Sequence, residues 1–361
     1  MPAGDDAATA ARAWGLYVDA GAARTLEQAL KSAAAIESAF LKASALRDIA
    51  YAQAQAGDVS AALKTADTIV EAGSKAPALR DIAVAQAEAG DVSRALKTAD
   101  TIADANWKAD ALRAIAEAQA KGGDVSAALK TADTIANAGS KADALRAIAE
   151  AQAKGGDVSA ALKTADTIAD AGSKTYALHA IAEAQAKGGD VSAALKTADA
   201  IADAGSKVDT LRAIAEAQAK AGDRAGAART FEQALQAAAA ISNEYGKANA
   251  LRAIAEAQVK AGDSAGAART HEQALQVLTA VETTGAWGSL DRVASIALLA
   301  ADRVDAGDLR GALAWAAAHG ADPVAKTSAL VGMAAALLQP REEPFLRGVE
   351  KLLPPGLRGD R

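Results

Sequence analysis

Residues 112–144 read LRAIAEAQAKGGDVSAALKTADTIANAGSKADA, and the segment returns with a few changes at Leu145 and at Leu178. Further copies begin at Leu46, Leu79, Leu211 and Leu251; the first six starts are 33 residues apart and the last step is 40. A self-similar period of this length is the mark of a stacked repeat array. Within the copy at Leu145, the residues Leu145, Ile148, Ala149 and Gln152 recur at helical spacing and define one face. Gly156 stands where a helix ends in the left-handed conformation, and Asp157 is an N-cap for the next helix. That second helix turns Val158, Ala161, Leu162, Ala165 and Ile168 to one side. Gly172 then reads as its end and Ser173 as the cap of the following helix, with capping boxes at Ser140…Asp143 and Ser206…Asp209. The Gly-Asp pair keeps the beat at Gly57, Gly90, Gly123, Gly156, Gly189, Gly222 and Gly262, and more loosely at Gly307.

Working outward, the 361 residues would suit two or three globular domains on length alone. Aromatics make up only 3% of the chain. Alanine is an excellent helix former that lets helices approach closely, but each one buries little area. Such a chain fills many thin local cores rather than one thick core. A single hairpin has too little apolar surface to stand alone, so it must stack on its neighbours.

Two stretches are longer. Residues 21–58 match residues 226–263 almost position for position, and each carries seven extra residues, about 10 Å of helix. A third long start follows at Gly266. The pattern degenerates from Val281 onward, where Trp287 and Trp315 enter, as in a terminal cap. The predicted organisation is one repeat domain over residues 1–338, with degenerate capping units at about 5–40 and 281–338, and a tail over 339–361.

The repeat resembles the tetratricopeptide repeat, a family of helical hairpins that stack into a right-handed α-solenoid. The likeness rests on Leu145, on Ala149 as the small packing residue, on Gly156-Asp157 at the turn, and on Ala161 with Leu162. Gln152 stands where the family has an aromatic, Ala165 where it has a bulky residue, and no proline closes the unit. The resemblance implies an all-α solenoid of antiparallel helix pairs in 33- and 40-residue units. It also implies that the first helix of each unit lines a groove for extended peptides or helices of a protein partner.

Carried onto this chain, the groove column is Asp143, Arg146, Glu150 and Lys154, with equivalents Asp110, Arg113, Glu117 and Lys121, and Asp209, Arg212, Glu216 and Lys220. Arg47, Arg80, Arg252, Glu183 and Glu256 continue it. Oppositely charged residues three and four apart also stabilise a helix on their own, so the column is equally a self-paired solvated face. Where the pattern breaks, Tyr51 and Val84 replace the recurring Glu, and Tyr176 and His179 replace Asp and Arg. Tyrosine is a favoured binding anchor because it offers a large contact area with few rotatable bonds. Trp107 replaces the recurring serine, beside Asn106, which would take over the left-handed conformation of glycine. The recurring Gln53, Gln86, Gln119, Gln152, Gln185, Gln218 and Gln258 lie on the packed side, as expected of a hydrogen-bonded link between adjacent units. In the tail, Phe345, Leu346, Val349, Leu352 and Leu353 share one helical face, fit either to cover the last hairpin or to occupy a groove.

Other chemistry finds little support. The net charge of −6 speaks against a nucleic-acid binder, and an RNA-binding helical array would need a basic groove. No apolar run is long enough to span a membrane. Cysteine is absent, so there is neither a disulfide nor a thiolate-held metal. His179, His271 and His319 sit in separate units. The Gly-Gly-Asp turns lack the spacing of a phosphate loop. The match Gly262-Asp263-Ser264-Ala265-Gly266 to a nucleophile elbow follows a helix, not a strand. No cofactor is expected. The start of the chain is small and acidic, unlike a secretory leader, which points to the cytoplasm by default and to the periplasm or exterior if a leader was removed. The sequence therefore points to a non-catalytic protein- or peptide-binding scaffold. The alternatives are a self-assembling structural repeat, with association through terminal units or tail, and less favourably an RNA-binding array.

Overall fold

A computed structural model describes residues 24–279, 286–318 and 323–338. These are all helix and turn, with no strand among the described residues. Residues 24–34 are helical. Then follow α1 (Ala39–Gln55), α2 (Val59–Asp67), α3 (Ala72–Glu88), α4 (Val92–Asp100), α5 (Ala105–Lys121), α6 (Val125–Asp133), α7 (Ala138–Lys154), α8 (Val158–Asp166) and α9 (Ala171–Lys187). The chain continues through α10 (Val191–Asp199), α11 (Ala204–Lys220), α12 (Arg224–Ala239), α13 (Glu244–Lys260), α14 (Ser264–Thr279), α15 (Ala286–Asp305), α16 (Leu309–Ala318) and α17 (Pro323–Leu338). The architecture is an all-α solenoid repeat. It falls into two compact units, Met1–Ala177 and Leu178–Arg361. The residues before 24, the tail 339–361 and His319 lie outside the described residues. No helix among the described residues is long and apolar enough to cross a membrane.

The turn between the helices of a unit is built as expected. Gly156 has φ 87°, and Asp157 accepts the Ala160 N–H at 3.0 Å. The Asp157 N–H donates to the Gln152 carbonyl and the Gly156 N–H to the Ala153 carbonyl, at 2.9 and 3.1 Å. These two bonds satisfy carbonyls that the end of a helix would otherwise leave open, and only glycine adopts the required φ without strain.

The opposite junction corrects the sequence reading. The caps are not the serines but the Asp or Asn three residues earlier. Asn137 accepts the Ser140 N–H at 3.0 Å, Asp170 the Ser173 N–H at 2.7 Å and Asp203 the Ser206 N–H at 2.8 Å. Gly172 is therefore in the first turn of α9 rather than at the end of α8, and Asn106 is helical, since no residue other than glycine has a positive φ among the described residues. A carboxylate here accepts open N–H groups and also meets the positive end of the helix dipole. Glu71 is one atom too long for this role and makes no side-chain cap on α3. Glu71→Asp should raise stability by about 0.5–1 kcal/mol, read as a higher urea midpoint with an unchanged slope.

In the first unit, α1, α3 and α5 each pack on their own nine-residue partner and on the next long helix, and α7 packs on α8. The core is a column of Ile82, Ile115 and Ile148 with Ala83, Ala116 and Ala149, all fully buried. Alanine at these crossings brings the helices close enough for one isoleucine per unit to fill the gap. In the second unit the same arrangement thickens around Phe231, Leu275, Leu278, Ile296, Leu299 and Trp315. The seven extra residues of the longer units lie in the second helix, which grows from nine residues in α10 to sixteen in α12 and α14.

The recurring glutamine is buried, but its bond corrects the expectation too. Thr65, Thr197, Thr230 and Thr270 donate to Gln53, Gln185, Gln218 and Gln258 at 2.6–2.8 Å. The partner lies twelve residues on, across the Gly-Asp turn, so the bond ties the two helices of one unit together rather than adjacent units. Gln86, Gln119 and Gln152 are equally buried, with Oε1 lacking a hydrogen-bond partner.

Candidate interaction face

The long helices of each unit carry the predicted column, and its charges close on one another. Arg113 bonds Asp110 at 2.7 Å and Glu117 at 2.5 Å. Arg146 bonds Glu150 at 2.6 Å and lies 3.9 Å from Asp143. Arg212 pairs with Glu216 and Asp209 at 3.0 and 3.5 Å. Arg252 pairs with Glu256 at 3.0 Å and reaches Asp302 at 3.3 Å.

The breaks in the pattern re-route these pairs. Pro77 occupies the Asp position of α3 and Val84 its Glu position. Arg80 therefore turns to Asp81 at 2.9 Å and to Asp110 of the next helix pair at 2.6 Å. Burial pushes the Asp110 carboxyl up, but hydrogen bonds from Arg113 and Arg80 outweigh it and hold the group below the ordinary range. Arg47, with Tyr51 in place of its Glu, keeps only the exposed Asp48, at 3.1 Å. In α9 the histidine leaves Glu183 to Lys187, at 2.7 Å.

Two departures from the repeat meet in space. His179 stands where other copies carry Arg, and Thr210 where they carry Ala. His179 Nδ1 lies 2.9 Å from Thr210 Oγ1, and that hydroxyl donates to the Ser206 carbonyl at 2.8 Å. With its only hydrogen so used, Thr210 accepts, and His179 holds its proton on Nδ1. That bond fixes the orientation of the half-buried ring. The sequence reading flagged His179 but missed Thr210, although the unique Thr in an alanine column was a usable signal.

Among the other candidates, Tyr176 is 65% exposed and Tyr51 43%, the latter accepting from Gln55 at 3.1 Å. Trp107 is likewise exposed, whereas Val84 is half buried. Clefts run between successive long helices on this face. One of about 420 Å³ is lined by Glu117, Lys121, Glu150 and Lys154, and one of about 360 Å³ by Glu216, Lys220, Arg224 and Lys260. Both are mixed in charge. No group of three or more His, Cys, Asp or Glu is placed to hold a metal ion among the described residues. Ser264 of the elbow-like match begins α14 after the Gly262 turn, with Asp263 accepting the Gly266 N–H, so a helix cap explains the spacing.

No protein-family model matches the chain, and no curated protein matches it in sequence. Similar solved structures include Ton1535 from Thermococcus onnurineus NA1, 15% identical, with a TM-score of 0.29 and 90% of this chain and 98% of that one covered. Another is a signal-transduction ATPase with a tetratricopeptide repeat sensor from Pyrococcus horikoshii, at 13% identity and a TM-score of 0.28, covering 85% of this chain and 52% of that one. A circular tandem repeat protein is 14% identical at a TM-score of 0.21, with 94% and 91% covered.

Proposed function

We propose that the chain is a non-catalytic scaffold of the tetratricopeptide-like kind, which holds a protein or peptide on the face presented by its long helices. The observation that carries this reading is the pairing pattern. Arg–Glu pairs recur through the array and neutralise one another, and exposed Tyr51 and Tyr176 and the locked His179 interrupt them. A face of internally paired charge suits a ligand with both signs and disfavours a polyanion, which would have to compete with every carboxylate. The aromatic breaks supply contact area where the charges cancel. The unbroken 33-residue register through Leu178 and Leu211 favours one repeat domain over residues 1–338.

The test is an affinity capture from the native source. It compares the wild-type chain with a variant carrying Arg113→Glu, Arg146→Glu, Arg212→Glu, Tyr176→Ala and His179→Ala. Each reversal sets like charges three and four residues apart, at a few tenths of a kcal/mol per pair, so helicity by circular dichroism should hold. A partner bound by the wild type and weakened at least about tenfold in the variant, a loss of about 1.4 kcal/mol, is the expected result. Equal retention by both would place the binding surface elsewhere and sink the proposal.

A further inference from the structure

A long unit followed by a short one leaves a surface that a long unit followed by another long one does not. Because residues 21–58 match residues 226–263, Leu30, Ala34, Phe40, Lys42 and Leu46 correspond to Leu235, Ala239, Tyr245, Lys247 and Leu251. In the second unit, Leu235, Ala239, Lys247 and Leu251 share a space of about 430 Å³ with Gln273, Gln276 and Val277, from the last two turns of α14. Tyr245 is half buried and packs against the core of the second unit. In the first unit, α2 stops after nine residues, and the two turns that would cover the matching surface do not exist. Leu30, Ala34, Phe40 and Leu46 instead line an open apolar cleft of about 850 Å³ with Ile69 and Val70.

The repeat itself says what solvent would select at these positions. Where other copies carry Gly-Ser, at 73–74, 139–140, 172–173 and 205–206, this edge carries Phe40 and Leu41. Where they carry Ala103, Ala136, Ala169 and Ala202, it carries Val70. Phe40 is 65%, Leu41 57% and Val70 98% exposed. All three departures are toward larger apolar side chains, and two of them, Phe40 and Val70, line the one cleft, the opposite of what a solvated edge tolerates at no cost.

The occupant is indicated by what fills the equivalent space. α14 supplies two turns of helix with residues at i, i+3 and i+4 turned inward. Residues 345–353, beyond the described residues, have this length between Pro344 and Pro354, and place Phe345, Leu346, Val349, Leu352 and Leu353 at one-face helical spacing. The rim of the cleft carries both Lys42 and Glu71, and the segment carries Arg347, Glu350 and Lys351 on its remaining positions. We infer that the cleft of one copy receives residues 345–353 of a second copy as an amphipathic helix. The contact is heterologous: each chain offers one cleft and one segment, so association proceeds head to tail.

Sedimentation velocity of the full chain over a concentration series tests this. An interface of two to three helical turns falls at the small end of specific contacts, so association with a dissociation constant on the order of 10 μM is expected. Phe40→Glu with Val70→Glu removes the cleft at positions already in solvent, and Leu346→Glu with Leu353→Glu removes the segment. Each doubly substituted chain should be monomeric with unchanged helicity, and an equal mixture of the two should recover a one-to-one dimer and nothing larger. A wild-type chain that stays monomeric throughout the series overturns the inference. So do substituted chains that associate like the wild type, or a mixture that does not dimerise.

Discussion

His271→Phe should stabilise the second unit and remove an acid-sensitive step between about pH 6.5 and 4. His271 is 1% exposed at the place that Phe231 fills in the preceding repeat, and neither ring nitrogen has a hydrogen-bond partner. Burial, and then the nearby Arg303 charge, push its pKa down to about 4. The folded state therefore takes up the proton only near pH 4, whereas the unfolded chain takes it up near 6.5. Between those values the unfolded state binds more protons, so stability is fully present above about pH 6.5, falls as pH drops, and levels off below about 4. The total loss from this residue is about 3 kcal/mol. The phenylalanine variant loses this slope, and at neutral pH it gains a further 1–3 kcal/mol or so from not burying two unpaired nitrogens. Urea midpoints at pH 7, 5.5 and 4 would check it. Parallel pH profiles for the wild type and the variant would show that His271 is not the titrating group.

Arg303→Met should cost about 3 kcal/mol, at the lower end of what breaking a buried ion pair costs. The Arg303 side chain is 6% exposed and bonds Glu272 at 2.8 Å and Asp308 at 2.7 Å, so α14, α15 and the residue capping α16 meet at one guanidinium. Methionine keeps most of the stem packing but leaves both carboxylates without their cation. Glu272 and Asp308 remain partly hydrated, which holds the loss below that of a fully buried pair. Losing the Arg303 charge also lets the His271 pKa rise toward its ordinary value, so the acid slope should shrink in the same variant. Urea unfolding at two pH values measures both effects. An unchanged midpoint would mean that the three-helix contact does not depend on this charge.

Both predictions concern residues that depart from the repeat, and this separates what could be read in the chain from what could not. The 33-residue beat, the Gly-Asp turns and the seven-residue insertions decided the helix pairs and which units are longer, while the structure placed the extra turns in the second helix. Left-handed glycine, Asp capping and the 3.6-residue period are local physics, and they act within a few residues of where they are written. The pairing of Arg113 with Glu117 and Arg146 with Glu150 was equally legible, since both partners lie on one helix a turn apart. Contacts that cross between helices were not. The position of the caps at Asn137, Asp170 and Asp203 depended on where the preceding short helix stopped, and the Gln–Thr bond on which helix faced the buried amide. The meeting of His179 with Thr210 and the bare edge at Phe40 and Val70 depended on how one repeat sits against the next. By itself the sequence determined that this chain is an array of helical hairpins with a self-neutralised face. Tertiary structure alone decided which departures from the repeat find partners and which are left open to solvent, because burial belongs to the stacked neighbours and not to any one hairpin.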